Sequence, residues 1–179
     1  MKPGSTIAVI STGFLPNAIR FFMSRLGKRL GYKYSYPYNH VEKVIEYNGD
    51  LVSIGARSGG VKYTPVEEYL KSHPNHLILE PVIPLTDFEI LKMEDYARYY
   101  IEKGTKYQAG LLLAYALWVV TGIKWFAQGD KKVVCYELVA RFDDLIGRRG
   151  AKDLDMPTIY EIIENKHFRA VGEVIKTEL

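Results

Sequence analysis

The chain has 179 residues, of which 47% are hydrophobic and 25% are charged, and its formal net charge is +3 at pH 7. This length is enough for one domain with a sizeable core, and it is too short for two domains to be expected. The single cysteine, Cys135, excludes an internal disulfide and a structural thiolate zinc site. Any chemistry at Cys135 is therefore that of one thiol.

The N-terminal sequence lacks the basic region and long apolar run of a secretory signal. The longest uncharged stretch, 108–123, is shorter than the roughly 20 apolar residues that a membrane-spanning helix requires. We therefore expect a buried core helix there. We also expect an intracellular protein, or one delivered without a signal peptide, for example with a virion.

Positive charge is concentrated at the start of the chain. Residues 1–40 contain six Lys and Arg residues and no Asp or Glu, so the rest of the chain carries a net charge of −3. A helix is predicted over 16–30, where apolar residues follow helical spacing with Arg and Lys between them. Two interpretations stay open: a solvated basic face, or a face that binds an anionic surface such as phospholipid or cell-wall polymer. Nucleic acid is not predicted as a partner, because no recognition motif accompanies this modest basicity.

An aromatic loop, 33–39, follows this helix and leads into a predicted β-hairpin. The hairpin consists of strands 40–47 and 50–56, joined by Asn48-Gly49. Asn-Gly is the strongest short signal for a type I′ turn, and the resulting register places Glu42 opposite Gly55. His40 and Glu42 share one face of their strand, because side chains alternate with period two.

The rest of the chain predicts alternating short strands and helices. The elements are a strand 61–64 entering a helix capped by Thr64 and Glu67, a strand 77–83, a helix opened by a Thr86–Glu89 capping box and ended by Gly104, a central helix 108–120, and a helix 133–146. No internal repeat or linker interrupts them, so we predict a single α+β domain over 1–179.

Cys135 lies near the start of the last of these helices. A thiol there is surrounded by backbone N–H groups at the positive end of the helix dipole, which favours the thiolate, and a nearby imidazole favours it further. Nucleophile, base and orienting carboxylate are the groups that thiol acyl transfer needs. The residues alone leave open that Cys135 is a small, inert core residue.

Several short segments occur in an order that is typical of a known family. They are Pro3-Gly4 before a strand at 7–10, Asn39-His40-Val41, Val61-Lys-Tyr-Thr-Pro65, Gly104-Thr-Lys-Tyr107 and Val134-Cys-Tyr-Glu-Leu-Val139. This order, which spans about 3–146, resembles the circularly permuted papain-like cysteine hydrolases, the YiiX-like branch of the NlpC-type superfamily. The resemblance implies a small antiparallel sheet or half-barrel packed against helices, with 150–179 as a C-terminal extension that could serve packing or assembly.

The resemblance also implies a reaction. The thiolate of Cys135 attacks a carbonyl carbon and His40 acts as the base, so that an acyl-enzyme forms. Backbone N–H groups at the helix start would hold the oxyanion, with the Tyr107 hydroxyl as a further candidate. Tyr136, which replaces a serine after the nucleophile, would alter the pocket wall. Relatives act on cell-wall peptides or acyl lipids, and the basic helix and aromatic loop could line the cleft mouth.

One departure from the family bears directly on the site. The family has a small residue two places after the histidine and a glutamate on the returning strand, where this chain has Glu42 and Gly55. Glu42, which lies on the strand facing the family's usual glutamate position, could therefore orient His40. The alternative is that the family's carboxylate is lost and Glu42 is an ordinary strand residue. The protein would then be a catalytically idle module, for example in a viral or phage assembly with a partner.

No cofactor or metal is predicted. His73, His76 and His167 show no ligand spacing with one another or with a carboxylate motif, and we interpret them as surface or loop residues.

Overall fold

A computed structural model describes residues 1–107, 109–123, 132–154 and 156–179. The strands in these ranges are β1 (Thr6–Val9), β2 (Tyr34–Ser35), β3 (His40–Tyr47), β4 (Asp50–Arg57), β5 (Gly60–Pro65), β6 (His76–Pro81), β7 (Lys106–Tyr107), β8 (Lys132–Val133), β9 (Phe168–Val171) and β10 (Thr177–Glu178). The helices in these ranges are α1 (Phe14–Leu30), α2 (Val66–Ser72), α3 (Asp87–Glu102), α4 (Ala109–Thr121), α5 (Cys135–Leu145) and α6 (Ile159–Ile163).

A six-stranded antiparallel sheet with the order β5-β4-β3-β1-β6-β9 forms the centre of the fold. On one face, α2 contributes Val66 and Tyr69 to a buried cluster with Val44. On the other face, α3 and α5 bury Met93 and Phe142 against the β3–β4 hairpin. The predicted α+β class, with a small antiparallel sheet packed against helices, is confirmed.

The β3–β4 hairpin has the predicted turn. Asn48 and Gly49 both have positive φ, 52° and 83°, as a type I′ turn requires. Tyr47 pairs with Asp50, and the register continues along the ladder to Lys43 and Ile54. The predicted register is therefore confirmed over these pairs.

Helix boundaries agree with some capping predictions and contradict one. The Thr86 capping box is present at the start of α3, where the Thr86 hydroxyl accepts from the Glu89 amide and the Glu89 carboxylate accepts from the Thr86 amide. The capping box predicted at Thr64 is wrong, because α2 begins after Pro65 without a side-chain cap. The Thr64 hydroxyl instead accepts a hydrogen bond from Arg57, at 2.8 Å.

A buried ion pair joins α5 to the hairpin. Lys43 on β3 is fully buried, and its ammonium donates to the Asp143 carboxylate of α5 at 2.5 Å and to the Thr6 hydroxyl at 3.0 Å. The ammonium also lies 4.2 Å from the centre of the Phe168 ring on β9. These contacts hold the helix that begins at Cys135 against the strand that begins at His40.

The C-terminal residues belong to the core. β9 pairs with β6 and forms one edge of the main sheet. Tyr160 of α6 is fully buried, and its hydroxyl donates to the Met23 carbonyl of α1 at 3.0 Å. Gly27 makes room for this ring, since a Cβ there would lie 2.1 Å from the Tyr160 hydroxyl oxygen. The expected extension over 150–179 therefore completes the sheet and the core.

The aromatic segment before β3 has a different role from the one expected. Tyr36 and Tyr38 are buried in the main core cluster, and the short strand β2 pairs with β10. The Tyr38 hydroxyl accepts from the Ile175 amide at 3.1 Å. These two tyrosines fix the C-terminal segment rather than line a cleft mouth.

The apolar central helix, α4, is buried on one side. Ala114 and Trp118 are in the core, whereas Leu117 and Val120 are 38% and 75% exposed. Gln108, the predicted start of this helix, lies outside the described residues. In the part of the chain that is described, no helix is both long enough and apolar enough to cross a bilayer.

Candidate active site

The His40 ring is held by the neighbouring carboxylate on its own strand. Both side chains project from the same face of β3, and the Glu42 carboxylate lies 3.0 Å from His40 Nε2 through Oε1. Glu42 is fully buried, while the His40 side chain is 20% exposed. Because Nε2 is engaged by Glu42, Nδ1 is the ring nitrogen left to face another group.

Arg57, near the end of β4, holds Glu42 from the other side. Its Nε and Nη2 atoms donate to the two carboxylate oxygens of Glu42, each at 2.5 Å, which is a bidentate pair. Nη1 donates to Thr64, and the guanidinium lies 4.9 Å from the centre of the Tyr69 ring. Burial opposes the charged carboxylate, but the hydrogen bonds from His40 and Arg57 outweigh it and lower the pKa of Glu42. Glu42 is therefore an anion held rigidly beside the imidazole.

The absence of a side chain at Gly55 leaves the space that Glu42 occupies. A Cβ built on Gly55 would lie 2.5 Å from Oε1 and 2.6 Å from Cδ and Cγ of Glu42. Glycine is thus required opposite this glutamate for steric reasons. The two positions that depart from the expected family pattern are in direct contact.

Cys135 interacts electrostatically with the His40 side chain. It is the first residue of α5, where helical geometry directs the first-turn N–H groups toward the N-terminal end. Cys135 is 4% exposed. Burial alone would lower the pKa of His40, but the interactions with Cys135 and Glu42 outweigh it and raise that pKa to about 10. These interactions therefore favour the protonated form of the His40 ring.

A cavity of about 540 Å³ opens beside His40. This volume falls in the usual range for small-molecule sites. Its wall includes both His40 and Glu42, together with aromatic and aliphatic side chains from several elements. Among these are Ile19 of α1, Ala56 of β4, Tyr69 of α2 and Tyr107 of β7. A ligand in this space would contact the imidazole directly.

Asn39 fixes one side of this cavity. Its amide nitrogen donates to the carbonyls of Ser11 and Pro16, and its amide oxygen accepts from the Ser11 N–H at 2.9 Å. Asn39 is 2% exposed and directly precedes His40. The loop that leads into α1 is therefore attached to the base of the histidine strand.

The remaining predicted residues are divided between cavity and core. Tyr107 lines the cavity, and burial together with the nearby Cys135 charge raises the pKa of its hydroxyl. Tyr136 is 2% exposed and belongs to the main core cluster, which also contains Cys135. His73, expected to be a surface or loop residue, directly follows α2 and lines the cavity, and its ring stacks on Tyr69 with a centroid distance of 4.3 Å.

Sequence reasoning missed Arg57 and Tyr69 as parts of the site. Both lie on elements that pair with or cover β3, and no short motif marks them. The hairpin register itself could have indicated Arg57, since it lies two residues beyond Gly55 on the same strand face.

The residues of this site do not suit a metal ion. Within residues 1–107, 109–123, 132–154 and 156–179, no group of three or more His, Cys, Asp and Glu side chains is arranged to hold one. Both oxygens of Glu42 already accept from Arg57, whose positive charge would also oppose a cation there.

Comparison with known proteins identifies the fold and leaves the chemistry open. No family model matches the chain, and no curated protein matches it. Its structure is similar to a crystal structure of metalloprotein yiiX from Escherichia coli O157:H7, with a TM-score of 0.69 and 15% sequence identity. The similarity covers 96% of this chain and 97% of that one. The YiiX-like resemblance is therefore confirmed for the fold alone.

Proposed function

We propose that this protein is a thiol-dependent hydrolase or acyltransferase with a permuted papain-like site, in which Cys135 is the nucleophile. The observation that carries the proposal is the 3.0 Å contact of the His40 ring with the buried Glu42 carboxylate, and the interaction of Cys135 with the same ring supports it. A nucleophile, an imidazole and an orienting anion are together the parts of a catalytic triad. His40 and Glu42 line a cavity that gives a substrate carbonyl room to bind.

The raised pKa of His40 favours the expected first step. His40 accepts the proton of the Cys135 thiol, and the Glu42 carboxylate stabilises the resulting imidazolium. The sulfur attacks the carbonyl carbon, a C–S bond forms, and the carbonyl π electrons move to the oxygen. N–H groups at the start of α5 stabilise that oxyanion.

The second half of the reaction regenerates the ion pair. When the tetrahedral intermediate collapses, the bond to the leaving group breaks and the leaving group takes the proton of His40. Water, or another acceptor, then gives a proton to His40 and attacks the thioester carbon. The C–S bond breaks, and the sulfur leaves with its electron pair as thiolate beside the imidazolium.

The cavity favours an acyl group as the part of the substrate that binds. Ile19, Ala56, Tyr69 and Tyr107 provide apolar wall, while Asn39 uses its side chain to hold the α1 loop. We therefore rank an acyl lipid ahead of a cell-wall peptide as the substrate class. No step in this scheme requires a cofactor or metal.

The test is acylation by p-nitrophenyl butyrate, followed by release of nitrophenolate and by mass spectrometry of the protein. We expect a butyryl group on Cys135, which is the sole cysteine of the chain and so can be assigned without ambiguity. Cys135→Ser and His40→Ala should both abolish rapid release, while His76→Ala, on the same sheet but outside the cavity wall, should not.

A second candidate function is a catalytically idle module of an assembly, and the low exposure of Cys135, 4%, is the observation that favours it. Iodoacetamide distinguishes the two. A native protein that is neither alkylated nor acylated at Cys135 while its denatured form is alkylated would reject the hydrolase and support the idle module.

A further inference from the structure

One face of α1 is apolar, basic and exposed. Phe14, Phe21, Arg25 and Lys28 fall within one narrow stripe at 100° per residue, and all four are exposed. Phe14 is 92% exposed and Phe21 is 55% exposed. The Arg25 guanidinium lies 5.0 Å from the centre of the Phe21 ring. Two solvent-exposed phenyl rings on one helix face are unusual, since large aromatic side chains are normally buried.

The end of α4 extends this apolar surface. Arg29 of α1 donates to the Val119 carbonyl at 2.9 Å, which places the C-terminal ends of the two helices side by side. Val120 and Ile123, next to this contact, are 75% and 58% exposed. Exposed aliphatic side chains therefore lie beside the basic end of α1.

The charge of residues 1–40 indicates which kind of partner would bind the α1 stripe. Residues 1–40 carry six basic residues and no acidic one, so the stripe has no negative charge on its own element. Another exposed phenyl ring, Phe88 at 66%, differs because it lies between Asp87 and Glu89 on α3. A soluble polyanion would bind the basic side chains of α1 but would leave the phenyl rings of Phe14 and Phe21 in water. An anionic bilayer binds both, since phenyl rings enter the headgroup boundary and basic side chains bind the lipid phosphates.

We propose that the α1 stripe, with the adjoining end of α4, docks onto the surface of a membrane that contains anionic phospholipid. The opposite side of α1 contributes Pro16 and Ile19 to the cavity wall beside His40. Docking would therefore hold the cavity close to the lipid. The proposal does not depend on the hydrolase activity, and the inactive Cys135→Ala protein should bind equally well.

The test is co-sedimentation of the full chain with phosphatidylcholine vesicles and with mixed phosphatidylcholine–phosphatidylglycerol vesicles. We expect strong binding to the mixed vesicles alone, and weaker binding at high salt. Phe14→Ser with Phe21→Ser should lower the partition coefficient by about tenfold or more. Arg25→Gln and Lys28→Gln should each lower it by about fivefold. Phe88→Ser is the matched control and should leave it unchanged.

Any one of three results would reject the proposal. They are no vesicle binding by the wild-type chain, equal binding to both kinds of vesicle, and a loss of binding in the Phe88→Ser control equal to that in the Phe14 and Phe21 variant. Sedimentation without vesicles tests the competing occupant. A dimer that the Phe14 and Phe21 changes dissociate would show that the stripe joins two copies of this chain. All the substituted side chains are exposed, so circular dichroism should show unchanged folding.

Discussion

A methyl group added at Gly55 would displace the Glu42 carboxylate. In Gly55→Ala the new Cβ would lie 2.5 Å from Oε1, where ordinary contact requires at least 3.4 Å, so the carboxylate must move by about 1 Å. The 3.0 Å hydrogen bond to His40 would then lengthen beyond hydrogen-bonding range. A displacement of about 1 Å in a catalytic group lowers the rate by about 10²-fold. Overpacking at this buried position should also lower the free energy of unfolding by about 1–3 kcal/mol.

The rate of Cys135 alkylation by iodoacetamide measures this displacement without any knowledge of the substrate. The chain has one cysteine, so the reaction is specific. Because Glu42 raises the pKa of His40, Gly55→Ala should lower that pKa, and alkylation should slow most at the pH values where only the wild-type imidazole is protonated. Cleavage of p-nitrophenyl butyrate should fall by about 10²-fold in parallel.

Gly27→Ala is the matched control for overpacking. It forces a Cβ against Tyr160 in the core, away from the cavity, and so should destabilise the protein without changing the pH dependence of alkylation. A folded Gly55→Ala protein with a wild-type alkylation profile would refute the role of Glu42. Further support would come from Glu42→Ser with Gly55→Glu, which moves the carboxylate to the facing strand and should restore part of the reactivity lost in Glu42→Ser.

Two further predictions concern charge. The pKa of His40 is raised in the folded state, so the stability that its charge contributes is fully present below about pH 6.5 and is lost as pH rises through about 10. The rate of ester cleavage should also decline as the pH rises toward about 10. Glu42→Gln should move this decline to lower pH, and a pH–rate profile in which the decline does not move would contradict the prediction. Asp143→Asn leaves the buried Lys43 ammonium without its carboxylate partner and should lower the free energy of unfolding, measured in urea, by about 3–5 kcal/mol. The double change Lys43→Met with Asp143→Leu should restore most of that stability.

Local signals predicted the elements that carry the candidate nucleophile and base. Asn48-Gly49 indicated the hairpin, because both residues tolerate positive φ, and the hairpin register then placed Glu42 opposite Gly55. The helix at Cys135 was also predicted from local sequence, although it begins at the cysteine and not two residues before it. Features of this kind depend on a few adjacent residues and can be recognised without the rest of the fold.

Contacts between distant segments could not be predicted in this way. The Arg57–Glu42 pair depends on how two strands place side chains on a shared face, and the His73 ring reaches the cavity only because α2 packs over that face. The position of β9 beside β6 depends on the whole sheet. Such contacts leave no periodic pattern in the chain, since each partner alone is an ordinary polar or apolar residue.

The C-terminal closure of the sheet has a consequence for biosynthesis. During translation, residues 1–145 can emerge and form the hairpins and helices while the β6 edge is still unpaired and the groove above Gly27 is still empty. Tyr160 and β9 fill both places only after they leave the ribosome. Until then the nascent chain presents an open strand edge and apolar surface, which is the kind of species that chaperones bind. The six-stranded sheet should therefore close only after β9 has left the ribosome.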